Sequence, residues 1–218
     1  MKQPTIIAGP CSIESFDQLI TTVTALNDIP QVSIIRLGIW KPRTRPGGFE
    51  GIGKQALPWI DQLHNHFPRL RFCCEVAHPD HIQLIANPPI DTVWIGARTA
   101  SNPFSIAQLA EALRNTKLHI LVKNPTVPDV NLWQGAIERL LASNPLSITA
   151  VHRGFSTYSN TGLRNNPLWE IPIELHRRLP SIPILCDPSH IAGSANRVQS
   201  IASMAISMGF DGLMIETH

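Results

Sequence analysis

Residues 32–51 read Val32-Ser33-Ile34-Ile35-Arg36-Leu37-Gly38-Ile39-Trp40-Lys41-Pro42-Arg43-Thr44-Arg45-Pro46-Gly47-Gly48-Phe49-Glu50-Gly51. Apolar and β-branched residues over 32–37 predict a strand, which runs straight into a loop holding prolines, glycines and, beyond Arg36, the cations Lys41, Arg43 and Arg45. Arginine and lysine supply donors to anions, proline stiffens the backbone and glycine allows close approach. The loop therefore reads as a receptor for a phosphorylated or carboxylated small molecule. A solvated basic surface loop is the plainer alternative. Arg45 has no assigned role beyond local positive potential.

The same alternation repeats on either side of this strand. Strands are expected at 5–8, 32–37, 70–75, 92–95, 119–122, 148–151, 182–186 and 212–215. Amphipathic helical stretches are expected at 16–26, 54–66, 79–86, 103–114, 130–142, 168–178 and 195–208. Repeated βα units imply a parallel sheet. Eight such strands suit an α/β fold of the closed (β/α)8 TIM barrel type better than an open doubly wound sheet, whose Gly-x-Gly-x-x-Gly fingerprint is absent after the first strand. The last strand leads to Glu216-Thr217-His218, so the eighth helix is missing from this chain. The expectation is a single (β/α)8 catalytic domain over 1–218, truncated at the C-terminus.

Composition narrows the function classes. With 218 residues, 43% hydrophobic and 16% charged, the chain is expected to form one compact soluble domain. A net charge of +2 gives no general footprint for a polyanion, which argues against a nucleic-acid partner. No segment approaches the about 18 continuous apolar residues of a membrane span, and Met1-Lys2-Gln3-Pro4 lead directly into a strand-like run, so a cytoplasmic location without a membrane partner is expected. The cysteines Cys11, Cys73, Cys74 and Cys186 do not form a secreted disulfide framework, since three of them lie in or at the ends of apolar strands.

In a parallel barrel the C-terminal ends of all strands open onto one face. Those ends supply Cys11, Arg36 with Lys41, Glu75, Arg98, Lys123, Arg153, Asp187 with His190, and Glu216. One cation at a strand end is readily explained by solvation. Cations after the second, fourth, fifth and sixth strands point to a shared anion site, and Lys41–Arg45 offers separate cations for a second phosphate. Closure brings the first, seventh and eighth strands together, so Cys11, His190 and Glu216 should converge. Taken singly, Cys11 reads as a small buried residue and His190 as a surface histidine; together, thiolate, imidazole and carboxylate form a transition-metal set. Cations on one side and a Lewis acid on the other suggest the joining of an anionic substrate to a carbonyl.

Seven short motifs in order carry a resemblance: Ala8-Gly9-Pro10-Cys11-Ser12-Ile13-Glu14-Ser15, Lys41-Pro42-Arg43-Thr44, Gly96-Ala97-Arg98, Val122-Lys123-Asn124, His152-Arg153-Gly154, Asp187-Pro188-Ser189-His190 and Gly212-Leu213-Met214-Ile215-Glu216. From first strand to last the chain resembles the class I 3-deoxy-D-arabino-heptulosonate 7-phosphate (DAHP) synthases. The resemblance implies a transferase that condenses phosphoenolpyruvate with erythrose 4-phosphate on a divalent metal ion (Mn, Co, Fe, Zn or similar). Phosphate is released, in the first step of the shikimate pathway to the aromatic amino acids.

By matching motif, the resemblance implies that Arg36, Lys41, Arg98, Lys123 and Arg153 hold phosphoenolpyruvate, with the Ala97 amide assisting. It implies that Arg43 and Thr44 bind the erythrose phosphate and Asp187 the hydroxyl end. Cys11, His190 and Glu216 match metal ligands, and Glu75 matches an acidic residue near the substrate junction. Lys41, placed between the substrates, is the candidate proton donor to the aldehyde oxygen; a purely electrostatic role is the alternative. The family's fourth metal ligand is an aspartate beyond the glutamate, for which this sequence has no residue. Some relatives carry a chorismate mutase, so a fused or associated one is among the expected partners, and barrels with exposed helix faces often form homo-oligomers.

Two other readings remain. The sister enzyme making 3-deoxy-D-manno-octulosonate 8-phosphate from arabinose 5-phosphate has an Asn-Arg pattern where this chain has Pro42-Arg43-Thr44. A non-catalytic phosphate-ligand-binding barrel is the reading from another class.

Overall fold

The structure is a computed structural model, and it describes residues 3–41, 43, 46–85, 89–158 and 162–217. Eight strands are present among them: β1 (Thr5–Gly9), β2 (Val32–Leu37), β3 (Arg71–Val76), β4 (Ile90–Ile95), β5 (His119–Lys123), β6 (Ser147–His152), β7 (Ile184–Cys186) and β8 (Gly212–Glu216). Each pairs in parallel with its neighbours, and β8 pairs with β1 from Thr5↔Gly212 to Gly9↔Glu216, closing the expected barrel.

Around it run α1 (Phe16–Asn27), α2 (Leu57–His66), α3 (Pro79–Leu84), α4 (Ala97–Ala100), α5 (Pro103–Leu113), α6 (Val130–Leu141), α7 (Glu170–Arg178), α8 (Pro188–Ala192) and α9 (Ala195–Ser207). Several start where a side chain accepts the first free amides. Ser15 caps α1, Asn102 caps α5 and Asp129 caps α6, each contributing about 1 kcal/mol. Their buried faces, such as Ile60 and Leu63 of α2 and Ile137 and Leu140 of α6, pack on the outside of the sheet. Each such side chain adds roughly 1.5–3 kcal/mol by leaving water.

The departures from the sequence expectation have local causes. The helix expected at 54–66 is split into a 3-10 turn (Gly53–Ala56) and α2, because Pro58 has no N–H for the continuing ladder. Pro183 likewise shortens β7 at its start. The helices α4 and α8 were not expected, since four or five residues are too few to show a period. Residue 86, expected in the third helix, lies outside the described residues. Among the described residues no helix follows β8, and none is long and apolar enough to cross a membrane.

The barrel interior is filled by one residue from every strand: Ile7, Ile34, Cys73, Trp94, Leu121, Val151, Leu185 and Met214. Side chains alternate faces along a strand, so the residue two positions on returns to the inside, nearer the C-terminal mouth. Those positions are Gly9, Arg36, Glu75, Gly96, Lys123, Arg153, Asp187 and Glu216. An apolar plug is thus overlain by a layer of six ionisable residues and two glycines, and this layer is the floor of the site.

Candidate active site

A cavity of about 560 Å³ opens at the C-terminal mouth. Cys11, Arg36, Lys41, Arg43, Glu75, Ala97, Arg98, Lys123, Arg153 and His190 all line it. Asp187 and Glu216 do not. Asp187 is fully buried beneath the cavity, and Glu216 lines a neighbouring opening with Arg164 and Ser189. Thr44 and Arg45 lie outside the described residues.

The loop after β2 is fastened at several points. Gly53 N–H donates to Ile39 O (2.9 Å), Lys41 N–H to Glu50 O (2.8 Å) and Arg43 Nε to Phe49 O (2.6 Å). Trp40 stacks on His81 with ring centroids 4.1 Å apart, tying this loop to α3. Lys41 is thereby brought over the cavity, where its Nζ lies 3.4 Å from Cys11 Sγ. Burial lowers the Lys41 pKa, and neighbouring Arg36 lowers it further.

Arg36 is buried with Nε and Nη1 free of hydrogen-bond partners, while Nη2 stands 3.0 Å from Glu216 Oε1. Burial opposes its charge, but Glu216, Asp187 and Cys11 outweigh that and hold its pKa above the ordinary value. Its guanidinium carbon also lies 5.1 Å from the centre of the Trp94 ring, and Lys123 Nζ lies 6.0 Å from it. The top of the apolar plug thus offers a π face to two buried cations. A buried arginine with two unused nitrogens is a ready donor for an anion.

Lys123 Nζ donates to Asp187 Oδ2 at 2.7 Å. The same oxygen is 2.8 Å from His190 Nδ1, and Asp187 Oδ1 accepts from His190 N–H (3.0 Å) as the cap of α8. Burial would raise the Asp187 pKa, but His190 and Lys123 outweigh it and hold the carboxyl well below its usual range. His190 is lowered by burial, against the pull of Asp187.

Arg153 follows β6. Burial lowers its pKa to about 10, with Arg164 and Arg98 adding to the effect against Asp187. Such crowding of guanidinium groups is relieved by a bound anion. On the opposite side of the floor Glu75 is buried, and a Cβ on Gly96 would meet its Oε1 at 2.2 Å. Gly96 therefore makes room for the Glu75 carboxylate.

Cys11, His190 and Glu216 are a donor set that suits a divalent transition ion. His190 Nε2 and Glu216 Oε1 are 3.8 Å apart, and that oxygen is buried without a directed hydrogen bond. Cys11 opens on the same cavity as His190. Among the described residues no three His, Cys, Asp or Glu side chains cluster tightly enough to enclose an ion as they stand.

Thr126, Ser156 and Arg164 also line the cavity and escaped the sequence reading. Their loops are laced together: Ser101 Oγ lies 3.2 Å from Thr126 Oγ1, and Ser156 N–H donates to Thr126 O (2.8 Å). Arg164 had one available signal, as the only charged residue between Arg153 and Glu170.

A family model described as the DAHP synthetase I family matches residues 2–218. A phospho-2-dehydro-3-deoxyheptonate aldolase of Thermotoga maritima is 29% identical over 214 residues, covering 98% of this chain and 61% of the relative. The crystal structure of a T. maritima enzyme of that name (DAHP synthase) superposes with a TM-score of 0.83 at 27% identity, covering 98% of this chain and 59% of that one. A truncated form of 3-deoxy-D-arabino-heptulosonate 7-phosphate synthase from T. maritima gives a TM-score of 0.81 at 26% identity, covering 98% of this chain and 75% of that one. The chain therefore spans 61% of the length of the curated relative.

Proposed function

Because the chain belongs to the DAHP synthetase I family, we propose that it condenses phosphoenolpyruvate with erythrose 4-phosphate to DAHP and phosphate, the first step of the shikimate pathway. The observation that carries this reading is the meeting of Arg36, Lys41, Arg98, Lys123, Arg153 and Arg164 around one cavity that Cys11 and His190 also line. Two phosphates and a carboxylate repel one another, and a preorganised set of cations offsets that repulsion before the reacting carbons meet.

In this proposal Arg36, Lys123, Arg153, Arg98 and the Ala97 amide hold phosphoenolpyruvate. Arg43, with Thr44, holds the far phosphate of the four-carbon sugar. Asp187 acts from below, through Lys123 and His190, with both its oxygens already engaged. Cys11, His190 and Glu216 would hold a divalent ion, which when bound supplies Lewis-acid polarisation of the aldehyde.

The enol carbon attacks the aldehyde carbon, and the aldehyde oxygen takes a proton from Lys41, whose lowered pKa favours its release. Water then adds to the resulting cationic carbon and gives up its proton to Glu75. The hydroxyl left by the water passes its remaining proton to the departing phosphate as the carbon–oxygen bond to it breaks, releasing inorganic phosphate and leaving the ketone of the product.

Four free cysteines, three of them buried, support a reducing, cytoplasmic setting. Exposed Phe104, Leu146 and Ile173 support self-association through the outer surface. The function is tested by supplying phosphoenolpyruvate with erythrose 4-phosphate or with arabinose 5-phosphate and following loss of the enol absorbance. Consumption with the four-carbon sugar is expected. Turnover with the pentose alone would overturn the proposal, and binding without turnover would favour a non-catalytic barrel.

A further inference from the structure

After β6 the chain turns at Gly154, whose φ of 77° lies in the left-handed region, and folds back so that Phe155 and Asn166 form an antiparallel bridge. This return delivers Asn165 beneath Arg153, where it is 5% exposed. Asn165 Oδ1 accepts from Arg153 Nη1 at 2.7 Å, and its Nδ2 donates to the carbonyl of His190 at 2.6 Å. Its backbone N–H donates to Ile191 O (3.3 Å). The amide orientation is dictated by the partners, since a guanidinium can only donate and a carbonyl can only accept. Neither a carboxylate nor a hydroxyl does both jobs here: the first cannot donate, and the second is too short. A Cβ on Gly154 would come within 2.9 Å of the Asn165 Cβ, so the glycine is required by this packing as well as by the turn.

We propose that Asn165 is a positioning residue of the phosphoenolpyruvate subsite, fixing the Arg153 guanidinium and tying it to the segment that carries His190. The inference rests on the phosphoenolpyruvate reading of the cavity. Asn124 holds the other end of the same arginine, because its Oδ1 accepts from Arg153 N–H (2.7 Å) while its Nδ2 donates to Gly154 O (2.9 Å). The main chain of Arg153 is thus set from β5 and its side chain from the returning loop.

The test is a double-variant cycle read by calorimetric binding of phosphoenolpyruvate and by steady-state kinetics. Asn165→Ala is expected to weaken phosphoenolpyruvate about tenfold, the scale of a hydrogen bond to a charged group, with the KM for erythrose 4-phosphate unchanged. In an Arg153→Ala background the same substitution should change binding less than about twofold, because Asn165 acts through that arginine. A purely structural role predicts a lower folded fraction with unaltered KM and additive losses, and either result would overturn the inference. If Asn165→Ala does not fold, Asn165→Ser enters the same cycle. Binding of phosphoenolpyruvate without product formation would overturn the proposed reaction and leave the cycle readable by calorimetry. No binding by the unsubstituted protein would overturn both.

Discussion

Lys123 Nζ and Asp187 Oδ2 stand 2.7 Å apart with side chains 5% and 0% exposed, an ion pair buried between the ends of β5 and β7. Removing one partner of such a pair leaves a charge without compensation, which costs about 3–5 kcal/mol. Asp187→Ala is expected to lose stability on that scale in urea unfolding, and Asp187→Asn less, since the amide can still accept from Lys123. A loss under about 1 kcal/mol for the alanine variant would show that the pair is not structural.

His152 sets a pH dependence. It is fully buried among Trp133, Phe155, Trp169 and Phe210, and burial pushes its pKa from 6.5 down to about 3, against the pull of the Pro167 main chain and of Asp187 toward the charged form. The unfolded chain takes up the proton first as pH falls. This contribution is therefore complete above 6.5 and declines toward the folded value near 3. Between about pH 7 and pH 5 the loss should be about 2 kcal/mol. His152→Leu should remove that part of the slope, and an unchanged slope would refute the assignment.

Gly96→Ala tests the place of Glu75. The added Cβ would meet the end of the Glu75 side chain at 2.2 Å, so the carboxylate must swing away while the backbone stays. Turnover is expected to fall at least about tenfold with little change in thermal midpoint. A fully active variant would separate Glu75 from the chemistry.

Cys11→Ala tests the proposed metal ligands. It should abolish metal-dependent turnover while circular dichroism stays that of the folded barrel, and chelation of the unsubstituted protein should have the same effect on turnover. Full activity of Cys11→Ala would show the metal assignment to be wrong.

Much of this arrangement was readable beforehand because the barrel turns a one-dimensional pattern into a ring. Arg36, Lys123 and Glu216 are the lone charges of apolar strands and, with Glu75, stand toward the C-terminal ends, where a parallel barrel gives such charges the mouth to face. Side-chain reach could not be read that way. Nothing in the order of residues shows that Asp187 spends both oxygens on Lys123 and His190, or that Glu216 meets Arg36. Arg164 and Asn165 arrive from a long irregular loop, where no period reports which way a side chain turns.

The pairing of β1 with β8 has a consequence in time as well as in space. Gly9 and Glu216 belong to strands far apart in the sequence and pair across that last parallel seam, and Cys11 follows two residues beyond Gly9. Contacts of such long sequence separation carry the greatest loop-closure cost and belong to slow steps of folding. The proposed ion site is therefore expected to be among the last features to mature. A divalent ion present during refolding should act as a latch on the closed ring, binding late and slowing its reopening more than it speeds its formation.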